Sequence, residues 1–154
     1  MRFLLLALGL VVLSGCSEGP EYHYDSADPL HAQFSGEKAF EHVRTMVEMG
    51  PRPSGSKAIE RNRVYLEEQL AQFGWQTERQ VFTDETPIGE VEFVNLRARF
   101  GSPEEARKRK VHVLIGSHYD TKRYRDIRFV GANDAGSSTG ALLEFARVAA
   151  SDPD

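Results

Sequence analysis

Val111-His112-Val113-Leu114-Ile115-Gly116-Ser117-His118-Tyr119-Asp120-Thr121, with Gly131-Ala132-Asn133-Asp134-Ala135-Gly136-Ser137-Ser138-Thr139-Gly140 after it, is the stretch on which the fold turns. Val111 to Gly116 is short and almost continuously apolar, the composition of a strand covered on both faces. His112 interrupts it and reads as a strand histidine with a partner. A loop of about eighteen residues, 117 to 134, comes next; a loop that long in a compact domain usually has a function or is disordered. The second cluster opens a helix expected over about 136–150, with Leu142, Phe145 and Ala149 on one face. In open α/β sheets, ligand sites form where strands end. His118 and Asp120 are two apart and share one side of an extended chain. Asp134, taken alone, also reads as a helix N-cap. A neutral imidazole and a carboxylate are ligands a catalytic zinc takes when cysteine is absent, and on spacing alone both readings stand.

Working outward, Ser35 is placed to cap a helix with apolar positions Ala39, Phe40, Val43, Met46 and Val47, stopped by Gly50-Pro51. The loop Pro51-Arg52-Pro53-Ser54-Gly55-Ser56 leads to a second helix near 57–73. Ile59, Leu66, Leu70 and Phe73 line one of its faces, and Gly74 follows as its carboxyl cap. Trp75 to Phe82 alternates as a strand, Asp84 to Glu90 reads as a turn, and Val91 to Phe100 as a second strand. The basic run Arg107-Lys108-Arg109-Lys110 reads as a solvated hairpin tip. Intermixed helices and strands give an α/β class.

The 154 residues are 40% hydrophobic and 27% charged, near the globular norm. Lys and Arg number 19 against 23 Asp and Glu, a net charge of −4. A chain without a clustered basic excess does not suit general nucleic-acid binding. A single cysteine excludes an intrachain disulfide and a cysteine-based zinc cluster, so any metal site uses His, Asp and Glu.

The amino terminus reads as an address. After Arg2, residues 3–13 (FLLLALGLVVL) are apolar. As a helix they span roughly 16 Å, short of a bilayer core of about 30 Å, which suits a secretory signal. Leu13-Ser14-Gly15-Cys16 resembles the lipobox of bacterial lipoproteins. The resemblance implies cleavage before Cys16, acylation of that cysteine and stable membrane anchoring. The expected organisation is a signal peptide at 1–15, a tether at 16–34 carrying the solvated His23 and His31, and a globular part at 35–154. Ser17, in place of Asp, favours the outer membrane of a bacterial envelope.

His118-Tyr119-Asp120-Thr121 followed by Gly131-Ala132-Asn133-Asp134-Ala135-Gly136-Ser137 resembles the zinc-dependent exopeptidase family of leucine-type aminopeptidases and glutaminyl cyclases. The resemblance runs from about residue 36 to 150, the amino-terminal part of such a domain. Gly50-Pro51-Arg52-Pro53-Ser54-Gly55-Ser56 is similar to an early loop of the family. Asp84-Glu85-Thr86-Pro87-Ile88-Gly89, Phe93-Val94-Asn95-Leu96 and Lys122 lean toward the cyclase branch. The implied fold is an αβα sandwich around a mixed β-sheet, incomplete at the carboxyl end. The resemblance makes Asp134 the central zinc-binding aspartate, bridging two zincs in aminopeptidases and binding one in cyclases. It makes His118 the ligand of the second zinc in aminopeptidases, and Asp120 the acid that orients the site. The peptide bond between Asp134 and Ala135 is implied to be cis.

The family's later Glu-Glu or Glu-Asp pair and later histidine have no counterpart here. Glu144 reads as a helix-face residue rather than as the general base. The chain is therefore expected to be a truncated product with two recognised zinc ligands and no general base. The activity implied for the intact enzyme is cyclisation of an amino-terminal glutamine to pyroglutamate, releasing ammonia, with peptide or protein amino termini as substrates. The alternatives are a metalloaminopeptidase with two zincs and a non-catalytic envelope lipoprotein module.

Overall fold

The computed structural model describes residues 29–102, 104, 108 and 113–151. The expected signal sequence, Cys16, His23, His112 and three residues of the basic run (Arg107, Arg109 and Lys110) lie outside the described residues. Of that run Lys108 is described; it is exposed and paired with Glu104 at 2.6 Å.

Helix α1 (Pro29–Gln33) is a single short turn whose last carbonyl accepts from Arg147 Nη2 at 2.7 Å. Helix α2 (Gly36–Glu48) starts where Ser35 leaves extended geometry, and the Ser35 hydroxyl accepts from Lys38 N–H. His42, Val43 and Met46 face inward at helical spacing. Helix α3 (Lys57–Gln72) is capped in the same way, with Ser56 Oγ accepting from Ile59 N–H. Its buried stripe is Ile59, Asn62, Arg63 and Leu66, and Gly74 (φ 84°) turns the chain after it.

Strands β1 (Trp75–Thr86) and β2 (Gly89–Phe100) form one antiparallel pair, Trp75 opposite Phe100 and Thr86 opposite Gly89. The turn is much tighter than the expected 84–90, since pairing continues to Thr86 and only Pro87 and Ile88 remain outside it. The hairpin leans on α3 through Arg79, which bonds Glu67 and Glu60. A wide turn at Ala132–Ser137 leads into helix α4 (Ser138–Ala149). Met46, Leu66 and Leu143 form the centre of the core, with Tyr65, Leu70, Leu96 and Tyr119 packed around it.

Two expectations are corrected. Residues 113–116 form no strand, and Val113, Leu114 and Ile115 are 75%, 89% and 52% exposed. An apolar run becomes a covered strand only with neighbours on its edges and faces, and among the described residues β1 and β2 pair only with each other. In α4 the covered face is Thr139, Gly140, Leu143, Glu144 and Ala146, while Phe145 is half exposed. Gly140 explains this orientation. A Cβ there would lie 2.5 Å from Ala39 O, so α2 and α4 pack backbone to backbone along this face.

Glu144 is fully buried in that interface. Its carboxylate accepts from Arg147 Nε and Nη2, both at 2.7 Å, and from Ser35 N–H at 2.8 Å. These hydrogen bonds, above all those from Arg147, hold it below the usual carboxylate range although burial opposes them. His42 Nδ1 lies 2.6 Å from Tyr65 Oη. Burial pushes the His42 imidazolium pKa down, outweighing the attraction of Glu144 and Glu41.

A buried histidine kept neutral carries no penalty above its unfolded pKa of about 6.5, and costs stability as pH falls below that value. Glu144 adds a loss in the same direction at lower pH. These two groups therefore lower the unfolding free energy below about pH 6.5, while His118, whose pKa is raised by Asp120 and Asp134, works in the opposite direction. In urea titrations across pH, His42→Gln should remove the upper part of that decline; an unchanged slope in that variant refutes the assignment.

Candidate metal centre

Residues 117–131 have no regular secondary structure, so their backbone groups must find partners elsewhere. The first turn of α4 supplies some of them. Thr139 Oγ1 donates to His118 O at 3.0 Å, and the hydroxyls of Ser117 and Ser138 lie 2.6 Å apart. The stripe of α3 supplies others. Asn62 Nδ2 donates to Tyr119 O at 3.3 Å, and Arg63 Nε donates to Tyr119 Oη at 3.0 Å. The Tyr119 hydroxyl in turn donates to Val94 O on β2. His118 and Asp120 thus stand on a segment gripped from two sides.

Asp134 arrives from the other direction. Gly131 adopts φ 56°, and a Cβ there would sit 2.2 Å from Asp134 O and 2.8 Å from Thr121 Cγ2. Only glycine permits so tight a turn. The turn is closed by Gly136 N–H donating to Gly131 O at 2.9 Å. The Asp134–Ala135 peptide bond is cis. Asp134 does not cap α4; its carboxylate is turned toward His118.

The three side chains meet in a line. His118 Nδ1 lies 3.1 Å from Asp120 Oδ1, and His118 Nε2 lies 2.8 Å from Asp134 Oδ1. Partial burial pulls the imidazolium down, but the two carboxylates outweigh it and raise the His118 pKa. All three side chains are open to solvent, Asp134 most of all. An open pocket of about 320 Å³ lies alongside, with Arg63, Phe82 and Phe93 among its walls.

The donor chemistry suits zinc. Nε2 of an imidazole whose Nδ1 is held by a carboxylate is the usual histidine ligand, and a second carboxylate oxygen converges on the same point. The count falls short: among the described residues no three His, Cys, Asp or Glu side chains are so arranged that together they could hold a metal ion. Glu144 is committed to Arg147 and Ser35.

Sequence reasoning placed His118, Asp120 and Asp134 together. It missed the residues that hold them: Arg52, Asn62, Arg63, Tyr119, Thr121 and Thr139. Asn62 and Arg63 had a readable signal, since they follow Ile59 at i+3 and i+4 and so lie on the apolar stripe of α3.

Helices packed together with an antiparallel hairpin, and a histidine–aspartate contact before the last helix, make a mixed helix-and-sheet arrangement whose structural neighbours are glutaminyl cyclase and zinc-exopeptidase folds. Residues 95–154 match Peptidase family M28. A mouse (Mus musculus) glutaminyl-peptide cyclotransferase-like protein is 35% identical over 101 residues, covering 63% of this chain and 25% of its own length. The structure of Tannerella forsythia glutaminyl cyclase superposes with a TM-score of 0.68 at 28% identity, covering 78% of this chain and 43% of that one. A Zn-dependent exopeptidase from Parabacteroides distasonis shares the fold, with a TM-score of 0.58 at 22% identity, covering 78% and 43%. The chain spans about a quarter to a third of the length of the curated relatives it matches. Along the matched part, this chain resembles the zinc-dependent exopeptidase and glutaminyl cyclase family.

Tyr119 joins three elements, and its hydroxyl is a partner of a guanidinium that is almost fully buried. Tyr119→Phe should cost about 1–3 kcal/mol by leaving Arg63 Nε unpaired. The double variant Tyr119→Phe with Arg63→Met should lose clearly less than the sum of the two single variants. Urea unfolding of all four forms checks this, and simple additivity would show that the contact carries no energy.

Proposed function

We propose that this chain forms part of a zinc-dependent enzyme of the glutaminyl-peptide cyclotransferase type. The carrying observation is the convergence of His118 Nε2 and Asp134 Oδ1 at 2.8 Å with Asp120 behind the imidazole. Similarity to glutaminyl cyclases in sequence and fold supports the choice of reaction.

In this reading Asp134 holds the zinc, and His118 stands beside it at 2.8 Å. When bound, the ion acts as a Lewis acid on the side-chain carbonyl of an amino-terminal glutamine. Asp120, 3.1 Å from Nδ1, orients the imidazole beside Asp134. The substrate's α-amine closes on its own side-chain carbonyl carbon. The new C–N bond forms, the C–NH2 bond breaks, and ammonia leaves with the proton given up by the amine. Ring closure of five atoms within one residue gains from proximity. The substrates are peptide or protein amino termini.

A second reading, a two-zinc metalloaminopeptidase, is favoured by one feature: His118 touches Asp134 directly, where a cyclase would leave it a bystander. His118→Ala separates the two. It should lower zinc content by about one ion and abolish peptide hydrolysis in a two-zinc enzyme, and reduce activity only modestly in a cyclase. Asp134→Ala should remove most activity in either, and Asp120→Asn should cost about 10- to 100-fold. The assays are ammonia release from Gln-peptides and amino acid release from aminoacyl-anilides, with zinc per chain. They should use the longest open frame containing residues 1–154. With two recognised donors, residues 16–154 alone should bind zinc weakly and turn nothing over. Absence of both activities from the longest frame would leave the non-catalytic envelope module as the better reading.

The same proposal places the protein on a bacterial envelope membrane through acylated Cys16, the outer membrane being favoured. Cys16→Ser should abolish acyl labelling and leave precursor or soluble protein. Labelling that persists in this variant removes the anchor from the proposal.

A further inference from the structure

Arg52 sits in the loop between α2 and α3, where a charged side chain would ordinarily point to water. Its side chain is instead fully buried. Among the described residues no carboxylate is paired with the guanidinium; the two hydrogens of Nη1 are shared among three carbonyls, Met46 O at 2.6 Å, Gly50 O at 3.1 Å and Val130 O at 3.0 Å. Its backbone is paired as well. Arg52 N–H donates to Thr121 Oγ1 at 2.8 Å, and Thr121 N–H donates to Arg52 O at 3.1 Å.

These contacts have a pattern. Met46 and Gly50 belong to the end of α2. Thr121 directly follows Asp120. Val130 directly precedes Gly131, the residue whose turn delivers Asp134. One residue therefore joins a fixed helix end to both loops of the candidate metal centre. The two loops also touch beside it, Thr121 Cγ2 lying against the position where a Gly131 Cβ would stand.

We propose that Arg52 is a positioning residue that sets the separation of the His118–Asp120 loop and the Asp134 loop by tying Thr121 and Val130 to the end of α2. The inference rests on the reading that Asp134 holds a metal beside His118. Burial of a guanidinium without a carboxylate partner costs several kcal/mol, and among the described residues Arg52 Nε has no hydrogen-bond partner. Closing the end of α2 alone needs no charge. Reaching carbonyls on two separate segments from one atom needs a long, charged donor such as arginine. Burial works against the charge of Arg52, and the nearby Asp120 carboxylate supports it.

The test is a cobalt(II) titration of the full chain, followed through the ring-proton resonances of His118, with urea unfolding run on the same samples. Arg52→Met should shift the titration to about tenfold higher cobalt or more. Arg52→Lys, which keeps a charged donor in place, should recover most of that shift. Thr121→Val, a milder change that deletes only the hydroxyl, should shift it in the same direction, and Thr121→Ser should restore it; this pair decides the matter if Arg52→Met does not fold. Trp75→Phe loses a hydrogen bond to Ala146 O toward the far end of α4, and should lower stability without moving the titration. Unshifted cobalt binding in folded Arg52→Met or Thr121→Val overturns the positioning role while leaving the metal reading intact. A shift in Trp75→Phe as large as that in the Arg52 variant also overturns it, since stability alone would then account for the effect. Absence of any cobalt effect on His118 in the unmodified chain, or an effect that survives Asp134→Ala, overturns the metal reading and this inference together.

Discussion

A backbone segment without a ladder of its own must have its N–H and C=O groups satisfied by whatever surrounds it. Residues 117–131 are such a segment, and much of the architecture exists around that requirement. The stripe of α3 carries Asn62 and Arg63 where apolar residues would pack, because Tyr119 presents a carbonyl and a hydroxyl there. The first turn of α4 carries Ser138 and Thr139 facing Ser117 and His118. The loop after α2 turns Arg52 inward toward Thr121 and Val130. The apolar core formed by Met46, Leu66 and Leu143 is small; the polar grip on this loop gives the helices much of their relative placement.

Local signals were legible in the sequence and distant ones were not. The N-cap Ser35 falls where a hydroxyl residue precedes an apolar stripe, and Gly74 takes the left-handed conformation a helix end favours. These depend on neighbours within one turn. Val113 to Ile115 misled because a covered strand is a property of what lies beside it, and periodicity cannot report a missing neighbour. In α4 the stripe through Leu142, Phe145 and Ala149 looked buried, but the close approach of Gly140 to Ala39 rotates a different face inward. Arg52 was invisible as a buried residue: its decisive partners are 69 and 78 positions away, and an arginine between two prolines reads as a loop charge. His118, Asp120 and Asp134 were legible through the resemblance of their two motifs to a known family, since spacing alone left both readings open.

The α2–α4 interface shows the same preference for fully partnered polar groups. Glu144 is as buried as any apolar residue, yet both carboxylate oxygens are used, by Arg147 and by the Ser35 N–H that precedes α2. Losing one partner of such a pair is far more costly than never having had the pair. The cluster therefore holds the start of α2 against α4 in one register, and with it the first turn of α4 that grips Ser117 and His118. Glu144 contributes to the site through this placement, and a proton-transfer role for it would require breaking the pair.

The energetic contrast between the candidate centre and its surroundings is informative. The ion pairs of His118 with Asp120 and Asp134 are open to solvent, where such contacts contribute about 0–1 kcal/mol to folding. They are too weak to hold two loops in place. The strong, buried and geometrically demanding interactions all lie one layer further in, at Arg52, Arg63, Asn62 and Thr139. The scaffold thus imposes the approach of Nε2 to the Asp134 carboxylate, and that approach is not the reason the loops fold as they do. Two exposed carboxylates pressed onto one imidazole by a rigid surround leave their remaining lone pairs directed outward. The approach of these three groups is thus set by residues that are not themselves candidate ligands.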